Sequence, residues 1–345
     1  MTELLGLELE ELSELIGGPE YRATQLFEWF YQRNVQDFSA MTNLPRETRE
    51  HLKANFTAKL PDVVKAEHGS DGTTKYALNV GGEIVEAVHM PEERRDTLCI
   101  SSQAGCAFGC KFCVTARMNL RRNLMAGEIV GQVLIALKDH GRAHPLNIVF
   151  MGMGEPLHNY ENVMKAFRIM SHPRGLAISP RRITLSTVGL IPALLKLKSE
   201  PSIPNIAVSL NAPNDSLRNE LMPINRTYPI EQLMETLRQL PLKQRQRITF
   251  EYVLLKGVND SAEHAKQLVR VTASIPCKIN LIPLNPDSHL PYERPDEKAI
   301  DRFAKILVDG ERTVAVRRSR GPDISAACGQ LGTQYIDPSR IPAGL

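Results

Sequence analysis

The first 55 residues carry apolar side chains at helical spacing. From Leu4 to about Asn55, residues such as Leu26, Trp29 and Phe30 recur three or four positions apart, and strand-like runs are few. This pattern predicts a small helical module at the N-terminus.

The pattern changes between Asp62 and Pro91. This stretch contains the β-branched run EIVEAVHM and the glycine-containing turn signals GSDGTT and NVGGE. We predict a short pair of strands that links the helical module to the rest of the chain.

Beyond this linker, short apolar runs alternate with longer stretches of helical pattern. The six strand candidates are TLCISS, LNIVFMG, RRITLST, PNIAVSL, ITFEYVLL and CKINLIPL. The helix candidates between them are AGEIVGQVLIALKDH, ENVMKAFRIM, LIPALLKLKS, PIEQLMETLRQL and SAEHAKQLVRVTAS. The alternation predicts an α/β fold with a parallel sheet, either doubly wound or a full or partial barrel. In each case we expect catalytic groups at the carboxyl ends of the strands.

The composition restricts the class of protein but does not identify its function. The chain has 345 residues, of which 42% are hydrophobic and 23% charged, as is typical of folded globular proteins. It begins with an acidic segment and has no run of about 20 apolar residues, so we expect a cytoplasmic protein with no membrane contact.

The arginines are clustered although the net charge of +3 is too small to indicate nucleic-acid binding by itself. Such pairs form either basic patches or ordinary solvated surface. The clustered residues are Arg94, Arg95, Arg121, Arg122, Arg181, Arg182, Arg245, Arg247, Arg317, Arg318 and Arg320.

Three of the six cysteines lie within eight positions, directly after the first strand candidate. Cys106, Cys110 and Cys113 have the spacing C-x3-C-x2-C. Zinc is the weaker interpretation, because no second C-x2-C or H-x3-H pair occurs in the chain. Three thiolates suit a 4Fe-4S cluster, which ordinarily takes four cysteines, so that one iron stays free to bind a ligand.

The spacing of these cysteines, the aromatic Phe112 and the position after the first strand resemble the radical S-adenosylmethionine (SAM) superfamily. The resemblance implies that the free iron chelates the amino and carboxylate groups of SAM. It also implies that the reduced cluster cleaves SAM to a 5′-deoxyadenosyl radical.

Small and polar residues follow the later strand candidates, where a lone motif is equally typical of a turn. In MGMGEPL, the pair Gly154 and Glu155 resembles the superfamily motif that contacts the methionyl amine of SAM. By similarity, further SAM contacts are expected at Ser186, Ser209, Leu210, Asn211 and Asn285.

Two further cysteines narrow the resemblance. Cys99 in TLCISSQ and Cys328 in AACGQL, with the strings LSTVG, SLNAPND, LMPIN, GVNDS and LIPLNP, resemble the RlmN family of RNA adenine-C2 methyltransferases. The segment YRATQLFEWFYQRNVQDFSAMTNLP resembles the helical RNA-binding module of that family. The family usually has histidine where this chain has Asn211.

The resemblance implies a partial (βα)6 TIM-like barrel with a small N-terminal helical domain. We expect an RNA-binding accessory domain over residues 1–60, a β-rich linker over 61–91, a radical SAM core over 92–336 and a C-terminal tail over 337–345.

The family chemistry assigns roles to three residues. Cys328 takes a methyl group from one SAM and becomes S-methylcysteine, and a second SAM supplies the radical, so that each methylation consumes two SAM. Cys99 then resolves the protein–RNA adduct by a transient disulfide with Cys328, and Glu86 accepts the C2 proton. Cys277 has no role in this scheme and is expected to be a core thiol.

The resemblance also implies partners. These are 23S rRNA, methylated in the peptidyl transferase centre, tRNA, methylated 3′ to the anticodon, and a flavodoxin-like electron donor to a monomeric enzyme. A Cfr-type enzyme, which methylates C8 of the same rRNA adenosine, is the nearest alternative, and Pro156 favours the C2 type. A non-catalytic iron-sulfur protein that binds RNA is a third reading, but it leaves Cys99 and Cys328 unused.

Overall fold

The N-terminal module is built from three helices and a short two-stranded sheet. The computed structural model describes residues 1–243 and 246–335, so Arg245 and the tail 337–345 lie outside the described residues. The elements of the module are β1 (Thr2–Glu3), α1 (Leu9–Ile16), α2 (Glu20–Tyr31), α3 (Arg46–Asn55) and β2 (Phe56–Thr57). Helix α2 buries Ala23, Leu26, Phe27 and Phe30, the one-sided spacing that the sequence predicted.

The linker contains three antiparallel strands rather than the predicted pair. They are β3 (Asp62–His68), β4 (Thr74–Val80) and β5 (Glu83–Glu92), and β5 pairs with β6 (Arg95–Cys99), the first strand of the core. The linker is therefore a continuous extension of the main sheet.

The core alternates strands and helices as predicted. Among the described residues, its further strands are β7 (Gln103–Ala104), β8 (Arg122–Asn123), β9 (Leu146–Phe150), β10 (Ile183–Thr187), β11 (Asn205–Ser209), β12 (Ile248–Leu254), β13 (Cys277–Pro283) and β14 (Thr313–Val316). Its helices are α4 (Ala126–His140), α5 (Tyr160–Ser171), α6 (Ile191–Lys196), α7 (Asp215–Leu221), α8 (Ile230–Arg238), α9 (Ala262–Val271) and α10 (Glu297–Asp309).

The strand order identifies the core as an open barrel. The parallel strands stand side by side in chain order, from β6 through β9, β10, β11, β12 and β13 to β14. A doubly wound sheet would reverse its order at a switch point, whereas successive crossovers in one direction put all helices on one face. Strands β3 and β14 form the two edges of the sheet in the described chain. The prediction of a partial (βα)6 barrel is confirmed.

The N-terminal module packs directly on the core. A Cβ added to Gly127 in α4 would lie 2.2 Å from the carbonyl oxygen of Leu5, so the two backbones meet without an intervening side chain. Ion pairs Lys165–Glu11 at 2.6 Å and Arg168–Glu8 at 2.7 Å flank this contact. None of the helices in the described ranges is long and apolar enough to cross a membrane.

Candidate active site

The three clustered cysteines lie in the loop between β7 and β8. Their side chains are half-buried and form no disulfide. Burial raises the pKa of Cys106 to about 12 and holds the pKa of Cys110 well above its usual value, with added contributions at Cys110 from the thiols of Cys106 and Cys113. These mutual effects mean that the three thiols lie close to one another.

The cysteine loop fits a cluster better than a single metal ion. Within the described chain, no three His, Cys, Asp or Glu side chains converge on one point that could hold an ion. In a 4Fe-4S cube each thiolate binds a different iron, so the sulfurs stand further apart than around one ion. Buried thiols with raised pKa are poor anions alone, and ligation by iron would convert them to thiolates.

Glu155 lies next to this loop, at the end of β9. It is only 2% exposed, and its carboxylate accepts hydrogen bonds from the backbone N–H groups of Leu157 at 3.1 Å and Val188 at 2.8 Å. Burial nevertheless raises the pKa of Glu155 to about 7. Gly154 has a φ of +96°, and a Cβ there would lie 2.5 Å from the side chain of Gln103, so only glycine fits.

The other SAM candidates line the adjacent strand ends. Ser186 and Ser209 are half-buried near the carboxyl ends of β10 and β11, and Leu210 is fully buried just beyond. The side chain of Asn211 is engaged within the chain: its Oδ1 accepts from the N–H of Val253 at 2.8 Å. Its φ of +56° also suits asparagine.

Glu86 is buried on β5 and is 1% exposed. Its Oε1 lies 3.5 Å from Nζ of Lys75, which is equally buried, and its Oε2 accepts from the N–H of Gly332 at 2.7 Å. Burial raises the pKa of this carboxyl above the usual glutamate value, while the Lys75 charge opposes the rise. A carboxylate in this setting is more basic than one in water, as a proton acceptor requires.

The segment that carries Cys328 is tied to the cysteine loop. The N–H of Val114 donates to Gly329 O at 2.8 Å, and the hydroxyl of Thr115 donates to Leu331 O at 2.8 Å. On its other side, Nδ2 of Asn285 donates to the Cys328 carbonyl at 3.0 Å.

Asn285 is therefore a positioning residue in the structure. Its Oδ1 accepts from the hydroxyl of Ser319, so both ends of the amide have partners within the chain. The expected SAM contact of Asn285 would have to use its second N–H or the second lone pair of Oδ1.

Cys99 and Cys328 belong to the same environment. Cys99 is buried at the end of β6, and its pKa is raised by burial and then by Cys328. Cys328 is exposed, yet desolvation by the surrounding protein raises its pKa to about 11, with smaller contributions from Glu251 and Cys113. Both thiols are free. Cys277, by contrast, begins β13 and lies at the opposite end of the strands.

Two buried charged residues near the site had not been predicted. Glu251 on β12 accepts from Nδ2 of Asn280 at 2.8 Å and contributes to the raised pKa of Cys328. Arg218 in α7 is 1% exposed and lies next to Cys110. Nothing in the pattern of apolar residues could have found them, because charged residues are rarely this buried.

Arg121 and Arg122 differ in their exposure and in their contacts. Arg121 is exposed and its side chain has no partner among the described contacts. Arg122 is half-buried, donates to Val80 O at 2.8 Å and pairs with Glu128. Only Arg121 is free to contact a ligand.

Comparison with known proteins agrees with this geometry. A family model described as the radical SAM superfamily matches residues 100–269. A second, described as the N-terminal domain of ribosomal RNA large subunit methyltransferases, matches residues 2–57.

Several proteins are similar over nearly the whole chain. A dual-specificity RNA methyltransferase RlmN of Pelobacter propionicus is 46% identical over 99% of this chain and 98% of its own length. One from Geobacter sulfurreducens is 48% identical over 96% of this chain and 92% of its own length. The crystal structure of a radical SAM methyltransferase from Sphaerobacter thermophilus is similar with a TM-score of 0.90 and 45% identity, covering 96% of this chain and 99% of that one.

Proposed function

Because the chain belongs to the RlmN family of radical SAM RNA methyltransferases, we propose that Cys328 carries a methyl group to C2 of adenosine in RNA. The observation that carries the proposal is the junction of the Cys328 segment with both the cysteine loop and Glu86. Three separate parts of the chain are joined there by hydrogen bonds. Val114 and Thr115, directly after Cys113, donate to the carbonyls of Gly329 and Leu331, and the N–H of Gly332 donates to the carboxylate of Glu86.

We assign one 4Fe-4S cluster to the ligands Cys106, Cys110 and Cys113. SAM would bind beside it, held by Glu155 and the strand-end residues Ser186, Ser209 and Leu210. When bound, the cluster and SAM supply a carbon-centred radical that removes a hydrogen atom from a methyl group. The ionised Glu155 carboxylate receives the ammonium group of SAM, and Gly154 lets the backbone approach it.

Cys328 acts first, as a nucleophile. Its thiol must lose a proton, because the thiolate and not the thiol displaces a methyl group. The bond from Sγ to the methyl carbon forms as the bond from carbon to the SAM sulfonium breaks, and S-adenosylhomocysteine leaves. The electrophilic C2 of adenine cannot perform this displacement itself, which is why a protein sulfur is needed.

Glu86 and Cys99 act after the carbon is bonded to C2. The adduct loses one electron, which balances the one consumed in forming the radical, and Glu86 accepts the C2 proton, since its buried carboxylate is more basic than usual. The Cys99 thiolate attacks Sγ of Cys328, so that the disulfide forms and the bond from sulfur to carbon breaks. That carbon takes a proton and becomes the product methyl. Two electrons from an external donor of flavodoxin type restore both thiols.

The proposed substrates are an adenosine of 23S rRNA in the peptidyl transferase centre and the adenosine 3′ to the anticodon in tRNA. Relatives with 46–48% identity are named as dual-specificity RNA methyltransferases, which supports two RNA substrates and the C2 type of enzyme. The target base has to leave its stack to reach Glu86 and Cys99, which are both buried. The module over residues 1–60 would grip the RNA around it.

Two cysteine variants test this proposal. We expect Cys328→Ala to abolish methylation, and Cys99→Ala to leave RNA covalently bound to the protein, seen as a band of higher mass on denaturing gels. The matched control is Cys277→Ala, which lies at the far end of β13 and should turn over normally. Normal turnover by Cys99→Ala would contradict the resolving step.

A further inference from the structure

Arg218 is a fully buried cation whose bonded partners are all uncharged. Its guanidinium donates to the backbone carbonyls of Val188 at 2.8 Å, Leu210 at 3.1 Å and Ser209 at 3.2 Å, and to Oδ1 of Asn225 at 2.8 Å. Arg218 forms no ion pair with any residue in the described part of the chain. The hydrogen bonds named above are those that its side chain makes.

A buried charge without a counter-charge is costly. Removal of an arginine from water carries a large desolvation penalty, so buried arginines are normally paired with a carboxylate. Asp215 lies near, but its Oδ1 accepts from Nδ2 of Asn225 at 2.8 Å and from the N–H of Ile230 at 2.9 Å instead. The neutral hydrogen bonds satisfy the donors of Arg218, and Asp215 offsets its charge only from a distance, without a direct ion pair.

The contacts of α7 place Arg218 beside the cysteine loop, so this loop is the side from which a counter-charge would reach it. The N–H of Lys111, next to Cys110, donates to Leu221 O at the end of α7, the helix of Arg218. Cys110 also packs on the small apolar group that contains Val188 and Leu221. The guanidinium and the Cys110 thiol thus flank the same strand end.

We propose that Arg218 is the fixed counter-charge of the iron-sulfur cluster and favours its reduced state. The inference rests on the proposed ligands Cys106, Cys110 and Cys113. Three thiolates give the cluster site a net negative charge, which grows by one unit on reduction. A positive charge held in a medium of low dielectric therefore stabilises the reduced form more than the oxidised form.

The same hydrogen bonds give Arg218 a positioning role. It joins the backbone after β10, at Val188, to the end of β11, at Ser209 and Leu210. The N–H of Val188 in turn donates to Glu155. One side chain thus ties together the two strand ends that are proposed to hold SAM.

The test separates the charge of Arg218 from its hydrogen bonds. Arg218→Gln removes the charge and keeps donors, whereas Arg218→Lys keeps the charge and loses the planar fork. Each reconstituted holoenzyme is titrated in a redox-poised cell, and the reduced cluster is quantified by electron paramagnetic resonance. At a fixed potential we expect the ratio of reduced to oxidised cluster to fall about tenfold in Arg218→Gln, equivalent to roughly 59 mV for one electron. In Arg218→Lys it should stay within about threefold of the wild type.

A control variant tests how much a positive charge that solvent can screen affects reduction of the cluster. Lys111→Gln removes a less buried positive charge from the cysteine loop itself, and we expect a shift smaller than that of Arg218→Gln. If Arg218→Gln does not fold, Asp215→Asn is measured instead. This variant removes a negative charge that partly offsets Arg218, so the cluster should become easier to reduce. An unchanged ratio of reduced to oxidised cluster would overturn the proposal.

The outcomes distinguish this inference from the proposed cluster site. A wild-type protein that binds no cluster, judged by iron content and by the absence of the reduced signal, refutes the ligands and the inference with them. A full cluster whose ratio is unchanged in Arg218→Gln refutes the role of Arg218 alone. An equal fall in the Gln and Lys variants would assign the effect to geometry and overturn the claim about charge.

Discussion

The backbone N–H of Gly332 donates to Oε2 of Glu86 at 2.7 Å, across 246 positions of sequence. This bond joins the segment that carries the proposed methyl carrier, Cys328, to the strand that carries the proposed base. The two segments are thereby tied together within the protein itself, without any contribution from RNA.

Glu86→Gln is predicted to stop the reaction after Cys328 has been methylated. The amide oxygen can still accept from Gly332, so the segment should stay in place while the proton acceptor is lost. We expect product formation to fall about 10²- to 10⁴-fold, with intact protein mass showing one added methyl group. Turnover close to that of the wild type would exclude Glu86 as the base.

SAM binding is predicted to weaken in mild acid. Burial raises the pKa of Glu155 to about 7, so its carboxylate is mostly ionised above that pH and mostly protonated below it. Between about pH 8 and pH 6 the ionised fraction falls about tenfold, and affinity for the SAM ammonium should fall with it. Equilibrium dialysis of holoenzyme measures this, and Glu155→Gln should bind weakly at both pH values. An identical pH profile in that variant would assign the titration to another group.

Gly127→Ala is predicted to loosen the N-terminal module. The added methyl group would lie 2.2 Å from Leu5 O, a backbone atom that cannot rotate away. We expect a loss of about 1–3 kcal/mol in the free energy of unfolding, together with weaker RNA binding and normal cluster content. Lys138→Ala, exposed on the same helix, is the control and should stay within about 0.5 kcal/mol. Wild-type stability in Gly127→Ala would show that the module tolerates a shift.

Arg121 and Arg122 are predicted to differ in their effects. Arg121→Ala should weaken RNA binding and reduce its dependence on salt by about one charge, with unchanged folding. Arg122→Ala should instead cost about 1–3 kcal/mol of stability, because Val80 O loses its donor and Glu128 its partner. Filter binding at several salt concentrations and denaturant unfolding separate the two. Unaltered RNA affinity in Arg121→Ala would remove it from the interface.

The local pattern of apolar residues was enough to predict much of the fold. All six strand candidates and all five helix candidates form the expected elements, because each buries a continuous or one-sided apolar surface. Strand β14 was missed, since it has four residues at a sheet edge and they are largely exposed. Helix α10 was also missed, although it buries Ile300, Phe303 and Leu307 at helical spacing, a readable signal.

Only the part of the site that forms a short sequence motif could be predicted from the sequence. The spacing of Cys106, Cys110 and Cys113 indicated a cluster, but the bond between Glu86 and Gly332 depends on how distant segments meet. Arg218 could not be recognised either, because arginine is usually a surface residue and its burial results from the tertiary structure.

The position and isotope content of the methyl group test the central claim most directly. With SAM that carries a fully deuterated methyl group, the route through Cys328 removes one deuterium from the carbon and restores hydrogen from water. Mass spectrometry of digested RNA should therefore find a methyl group on C2 of adenosine that retains two deuterium atoms. Three deuterium atoms would contradict the proposed route, and a methyl group on C8 would contradict the proposed product.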